Sequence, residues 1–236
     1  MLQELNEQSI SQKYPISMRY ARDERVWRYA HIHPTGGNGR GRPMMATDKG
    51  VERGAFLGAQ VAGANTVTWA CVGTVVANQF KDGYLLCQGG FVHRIRSNTG
   101  GATITLTLED TFAACEAIAA GRYGLLLENP YANVRAHATC NGGASGSGLC
   151  VGINTIDVTS DYYVWLQTWG PAGVIATPAT LGDAEGEIAL CVGENVGDEV
   201  GITTGHGKQI IGHSMPCAAI NWENENFMIL DLCIRP

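Results

Sequence analysis

The sequence predicts a mainly β protein: a β-sandwich or barrel with one short helix and an extended N-terminal arm. The chain has 31 glycines in 236 residues, well above the usual rate of about 7%. Only 16% of its residues are charged, and from Thr66 onward short apolar runs alternate with turn residues. This texture is typical of short strands joined by tight turns. A hydrophobic content of 45% is enough for a packed core.

The first part of the chain differs from the rest. Residues 1–53 lack sustained periodicity and include the glycine-rich loop Thr35–Pro43. They hold nine Lys/Arg against six Asp/Glu, a net charge of +3, whereas residues 54–236 hold seven against sixteen, a net charge of −9. We interpret residues 1–53 as an extended arm and residues 54–236 as a β-rich body, and leave open whether the body divides into two small β subdomains.

The clearest strand of the body is Ala102–Leu108, in which the even positions are apolar, the two-residue period of a half-buried strand. Asp110 and Thr111 can then cap a short helix over Phe112–Ala120, which Gly121 would end. Later strand-like segments fall near residues 150–158, 161–169, 172–177, 187–193, 209–219 and 226–233, with the spacing of a sandwich or barrel.

The segment 162–169 is aromatic or aliphatic on both alternating faces. Such a strand lies either inside a core or half buried in a subunit interface. Tyr163, Trp165 and Trp169 would share one face of it, so the same residues could instead stack on sugars, as in carbohydrate-binding modules. In the arm, Arg25, Trp27, Arg28 and Tyr29 are the candidate contact residues, because Trp, Tyr and Arg are the usual anchors of interfaces.

Each candidate catalytic motif in the sequence lacks a required residue or the required structural context. The loop Gly143–Ser147 lacks the last glycine of a nucleophile elbow, and Gly205–Gln209 lacks the hydroxyl that a phosphate loop needs. Gly37–Arg42 does not follow a strand and is no dinucleotide fingerprint. Glu109 and Asp110 fit helix capping better than acid–base chemistry. We therefore expect no enzyme, no catalytic residues and no cofactor.

Metal binding and membrane insertion are not expected either. His31 and His33 could approach His93 or His206, but no spacing compels a site, and there is no Cys-x-x-Cys. Met1–Lys13 has no apolar run, so a secretory signal is not expected, and no segment is long enough to span a bilayer.

The eight cysteines are interpreted mostly as buried thiols, because a chain without an export signal is made in a reducing compartment. The exception is the pair Cys140 and Cys150, which flanks a Gly/Ser loop and is the best disulfide candidate.

Several segments, taken in order, resemble a group of structural proteins encoded by tailed bacteriophages, some of them linked to head decoration. These segments are Asp23–Ala30, Val76–Leu85, His93–Ser97, Leu106–Asp110, Glu128–Tyr131 and Tyr162–Ala172. The glycine-rich loop at 35–42 and the loop at 140–150 depart from the pattern.

The resemblance implies a virion component without catalytic residues that decorates or cements the capsid exterior. Its partners would be the major capsid protein and other copies of itself, as a trimer or another homo-oligomer, and it would be made in the host cytoplasm. No membrane and no specific nucleic acid are expected as partners, since the acidic body repels phosphate, although the basic arm could touch phosphate or an acidic neighbouring subunit. A tail or other capsid component, and a host-glycan-binding module that uses Trp165 and Trp169, are the alternatives.

Overall fold

The computed structural model describes residues 2–36, 39–46, 51–136, 149–176, 189–192, 199–201, 210–214, 220–222 and 225–234. The fold is mainly β, as predicted. The strands are β1 (Arg19–Arg22), β2 (Arg25–His31), β3 (Pro43–Ala46), β4 (Val51–Phe56), β5 (Thr66–Val75), β6 (Tyr84–Leu86), β7 (Val92–Asn98), β8 (Gly101–Leu108), β9 (Tyr123–Leu127), β10 (Val134–Ala136), β11 (Cys150–Asn154), β12 (Tyr163–Ala176), β13 (Ala189–Val192), β14 (Glu199–Gly201), β15 (Ile210–Ser214), β16 (Ile220–Trp222) and β17 (Glu225–Cys233).

The chain forms two compact units, and their boundaries differ from the predicted division at residue 53. Lys49–Asn129 forms one unit, which we call the barrel unit. Met1–Asp48 and Pro130–Pro236 together form the other, which we call the sheet unit. The barrel unit is thus an insertion in the sheet unit, an arrangement that a reading of the sequence from one end to the other does not reveal.

The barrel unit is a closed barrel of six strands in the order β4-β5-β8-β7-β6-β9. Closure leaves no open sheet edge among the described strands of this unit. The predicted alternation of Ala102–Leu108 is confirmed in β8, where Ile104, Leu106 and Leu108 point into the core and are buried. Trp69, Phe56 and further apolar residues of the other strands complete that core.

The predicted helix over Phe112–Ala120 is wrong in extent, because the structure has a single 3-10 turn at Ala114–Glu116. Ile118 is drawn into an antiparallel bridge with Gln60, and both of its backbone groups bond to that residue. Tertiary pairing thus overrides local helix propensity. Glu109 does not cap a helix; its carboxylate lies 3.6 Å from Arg94.

The extended arm predicted for residues 1–53 is also wrong for the described part of that range. β1 and β2 form a hairpin, and β2 pairs along its length with β12, so that Tyr29 stands opposite Trp165. The residues before β1 are attached as well: Ser9 bridges to Tyr163, and the Gln3 side chain donates to the Tyr163 carbonyl at 2.9 Å. The described N-terminal residues are therefore part of the sheet unit.

β12 is the central strand of the sheet unit. It pairs with β2 and β11 in its first half and with β17 in its second half, and so replaces the two separate strands predicted at 161–169 and 172–177. A β-bulge between Gln167 and Trp169 changes the alternation of its side chains. As a result Trp165 and Trp169 do not have equivalent environments.

Candidate interaction surfaces

The aromatic residues predicted as interface anchors meet in the core of the sheet unit. Trp27 and Tyr29 are buried, and Trp165 is only 1% exposed. The Tyr29 ring lies 5.0 Å from the Trp165 ring and is stacked on the Tyr163 ring at 5.9 Å, measured between centroids. These side chains pack against one another within the chain. They therefore stabilise the fold and are not accessible to a partner.

Hydrogen bonds fix this cluster from the N-terminal side. The Tyr29 hydroxyl donates to Gln3 Oε1 at 2.7 Å, and the backbone N–H of Lys13 donates to the same hydroxyl at 3.1 Å. The indole N–H of Trp165 donates to the Gln3 carbonyl at 3.3 Å. Burial raises the pKa of Tyr29 to about 12. A deletion of residues 1–30 would therefore remove part of the core, and partner contacts must be tested by point substitutions.

The remaining predicted contact residues lie nearer the surface. Arg25 is exposed, and its guanidinium lies over the Trp27 ring at 5.3 Å. Arg28 is half-buried and donates to the Ser17 carbonyl at 3.1 Å. Trp169 is 40% exposed. The sugar platform predicted from Trp165 and Trp169 is not formed, because Trp165 is sealed in the core and the bulge separates the two rings.

Several segments that carry the phage resemblance meet at one end of the barrel. The Gln79 side chain donates to Glu128 at 2.7 Å, the Asn129 side chain donates to the Asp82 carbonyl at 2.7 Å, and Arg94 lies 3.5 Å from Asp82. Asn78 and Asp82 adopt positive φ in the connecting turn. These residues build the barrel, and their residue types are explained by that structural role.

The described histidines that the sequence offers as possible metal ligands each contact other groups. The two ring nitrogens of His31 lie 3.0 Å from the Ala132 carbonyl and 3.1 Å from Asp161, and His93 lies 3.5 Å from Glu116. His33 contacts Thr35, and His206 lies outside the described residues. Within the described part of the chain, no group of three or more His, Cys, Asp or Glu side chains is arranged to hold a metal ion. No helix among the described residues is long and apolar enough to cross a membrane.

The described cysteines differ in burial. Cys87 and Cys150 are buried, Cys71 and Cys233 are half-buried, and Cys115 is exposed. Burial, with a smaller contribution from Glu116, raises the pKa of the Cys87 thiol to about 12. The predicted bond between Cys140 and Cys150 cannot be described, because Cys140 lies outside the described residues.

This difference predicts the pattern of thiol labelling in the folded protein. A thiol with a raised pKa has far less thiolate at pH 8 than an ordinary thiol, and the thiolate is the nucleophile. Iodoacetamide at pH 8 should therefore modify Cys115 and leave Cys87 unmodified, as read by peptide mass spectrometry. Denaturation in urea should expose both. Equal modification of Cys87 and Cys115 in the native protein would contradict the described burial.

The outer surface of the barrel has two contrasting walls. On β5 and β8 the outward side chains are mostly threonines. Thr66 stands opposite Thr107, and Thr68 stands opposite Thr105. On β4, β9, β6 and β7 most of the outward side chains are apolar, although Arg53 of β4 and Arg94 and Arg96 of β7 also point outward, Arg53 opposite Leu125 and Arg94 opposite Tyr84. One cross-strand row there is Val51, Leu127 and Tyr84, a second includes Leu125, Leu86 and Val92, and Tyr123 lies at the end of β9. We call these seven residues the apolar wall.

The apolar wall is accessible and bordered by positive charge. Val51 is 62% exposed and Tyr123 is 76% exposed. The outward side chains at the border include Arg53 and Arg96, both exposed. A cleft of about 390 Å³ opens on the wall beside Leu86 and Leu125. A contiguous apolar surface with a polar rim is typical of a protein–protein contact.

The sequence analysis missed this wall. Its residues come from four strands, of which only β6 and β7 are close in sequence, and the barrel register places all four side by side. The available signal was the run Tyr123–Leu127, which is apolar at every position except Gly124. A strand that is apolar on both faces needs cover on its outer face as well as its inner one.

No protein-family model, curated protein or solved structure matches the chain.

Proposed function

We propose that this chain is a non-enzymatic structural protein of a tailed-phage virion that decorates or cements the outside of the head. Its docking surface is the apolar wall of the barrel, and the major capsid protein is its partner. The wall is the observation that carries the proposal, because an exposed apolar surface is costly in a lone domain and stabilising in an assembly. The sequence resemblance supplies the phage context.

The physical mechanism is burial of apolar area at each copy. Burying apolar surface contributes roughly 25 cal/mol per Å², so a few hundred Å² contributes several kcal/mol before the costs of association. A shell offers many equivalent positions, and multivalent contacts raise the overall affinity further. A docking surface built on the strands of a closed barrel fits this role, since little ordering is required when it docks.

Binding to heads tests the proposal. Heads of the phage that encodes the chain, prepared without it, should be mixed with the purified protein, sedimented and imaged by electron cryomicroscopy. We expect ordered density on the outer shell at stoichiometric occupancy, with the apolar wall in contact with the shell. Binding to tails, or no binding to heads, would contradict the proposal.

A pair of matched substitutions makes the test specific to the wall. Val51 and Val61 have the same exposure, 62%, but Val61 lies in the β4–β5 loop and is not one of the seven wall residues. Val51→Glu should weaken head binding about tenfold or more, because a buried unpaired carboxylate costs at least as much free energy as one decade of affinity. Val61→Glu should bind as the unmodified protein does. Equal behaviour of the two variants would place the contact elsewhere.

A further inference from the structure

The β1–β2 hairpin places arginine opposite arginine twice. In its register Arg19 faces Arg28, and Arg22 faces Arg25. Like charges at directly opposed positions destabilise a sheet. Arg19, Arg22 and Arg25 form no ion pair with any described residue. The hairpin therefore holds three arginines, Arg19, Arg22 and Arg25, without an ion-pair partner among the described residues, and such local conflicts are expected where a sequence serves a function.

The same hairpin presents an open sheet edge. Among the described strands β1 pairs with β2 alone. The Tyr29 N–H donates to the Met18 carbonyl, so the ladder of alternating bonds continues through Tyr20 and leaves the backbone groups of Arg19 and Ala21 pointing outward. Arg19, Ala21 and Arg22 are all exposed. An exposed edge of this kind is a template on which another strand can add.

The charges on this edge favour one kind of binding partner over the others. A second copy that paired through its own β1 would bring arginines against arginines, which is the usual way that an edge is protected from self-association. Nucleic acid could contact the guanidinium groups, but it would leave the outward backbone groups unpaired, and the chain has a net charge of −6. An extended acidic segment can satisfy the side chains and the backbone together.

We propose that β1 is a docking edge for an extended acidic segment of another protein, which adds as a strand beside Arg19–Arg22. Carboxylates on that segment would pair with Arg19 and Arg22. Arg19 and Arg22 point to opposite faces of the hairpin because they are three positions apart, so the segment should carry acidic residues at positions i and i+3. The inference rests on the proposed function only for the source of the segment, a neighbouring virion subunit.

Peptide binding to the purified full chain tests the edge without phage. The probe is a fluorescein-labelled peptide of sequence Thr-Val-Glu-Thr-Val-Glu-Thr-Val, blocked at its C-terminus, and its control has glutamine in place of glutamate. Fluorescence anisotropy should give at least about tenfold tighter binding of the glutamate peptide at low salt, and added salt should reduce the difference. Equal affinities, or no binding of either peptide, would overturn the proposal.

Substitutions in the chain locate the site. The double charge reversal Arg19→Glu with Arg22→Glu should weaken binding of the glutamate peptide about tenfold or more. Arg40→Glu, an exposed arginine outside the hairpin, makes the same kind of change at one position and should leave binding unaltered. Equal losses with Arg40→Glu would reduce the effect to net charge and overturn the proposed site.

A modified probe tests strand addition and changes nothing in the protein. Methylation of alternate backbone nitrogens of the peptide removes the donors that a new strand needs, and it should abolish binding when the methyl groups lie on the pairing edge. Unchanged affinity for the peptides methylated in either phase would overturn strand addition. Tighter binding of a short duplex DNA than of the peptide, lost in the Arg19→Glu and Arg22→Glu variant, would assign the hairpin to nucleic acid instead.

The two proposals fail separately. Loss of peptide selectivity while Val51-dependent head binding persists would remove the docking edge and retain the virion role. Peptide binding by a chain that does not bind heads would retain the edge and remove the virion role.

Discussion

Trp165→Ala is expected to lower the free energy of unfolding of the sheet unit by about 3–5 kcal/mol, the range observed for removal of a large buried aromatic side chain. The Trp165 ring contacts the rings of Tyr14, Tyr20 and Tyr29, with centroid distances between 5.0 and 5.9 Å. Its replacement leaves a cavity where β2, β12 and the N-terminal segment meet. Denaturant unfolding, with hydrogen exchange to locate the change, measures the effect.

Trp169→Ala is the matched control, since it removes the same side chain from the same strand. Trp169 is 40% exposed, and a substitution at such a site should cost under about 1 kcal/mol. Hydrogen exchange in the Trp165→Ala variant should increase in β2 and β12. Equal losses of stability in the two variants would contradict the separation of their environments by the bulge.

The class of fold could be predicted because β8 displays its alternation locally. Whether residues 1–53 form a separate arm or part of the folded sheet could not be predicted. Arg25–His31 has the composition of an exposed anchor, with Trp, Tyr and Arg together, and that composition equally suits a strand buried on one face. What decides between the two is the pairing of Tyr29 with Trp165, a contact across more than half of the chain that no local pattern encodes.

The two proposed surfaces were inaccessible to sequence reasoning for the same physical reason. Val51, Leu127 and Tyr84 become one row only through the register of a closed barrel. Arg19 and Arg28 become opposed only through the register of a hairpin. The sequence predicted Arg25 and Arg28 as contact residues, but the open edge belongs to β1, and the pairing of β1 with β2 was not predicted.

The apolar wall and the β1 edge have different chemistry and therefore different tests. The wall buries apolar area and depends weakly on salt, whereas the edge relies on guanidinium–carboxylate contacts that salt screens. In the proposed virion role, a protein that bridges neighbours would need at least two separate contacts, and the two proposed surfaces, one on each unit, would supply them. If the Val51→Glu variant loses head binding while the unmodified protein still binds heads at high salt, most of the affinity comes from the wall.

Gly54→Ala is expected to destabilise the barrel unit by at least about 2 kcal/mol, because overpacking of a closed core forces side chains and backbone to shift. Gly54 faces Gly124 across the β4–β9 pair, and the Trp69 ring packs against both of them. A methyl group at position 54 would lie 2.1 Å from the Ala70 carbonyl oxygen and 2.3 Å from the Trp69 indole nitrogen. Neither neighbour can move without disturbing β5.

Gly58→Ala provides the control for backbone entropy. An added methyl group at Gly58 meets no atom within 4 Å, so this variant should be neutral or more stable by up to about 1 kcal/mol. The double variant Gly54→Ala with Trp69→Phe should recover only part of the loss, because the clash with the Ala70 carbonyl involves backbone. Denaturant unfolding of the three variants measures these differences, and a Gly54→Ala protein as stable as the Gly58→Ala protein would contradict the described packing of Trp69 against β4.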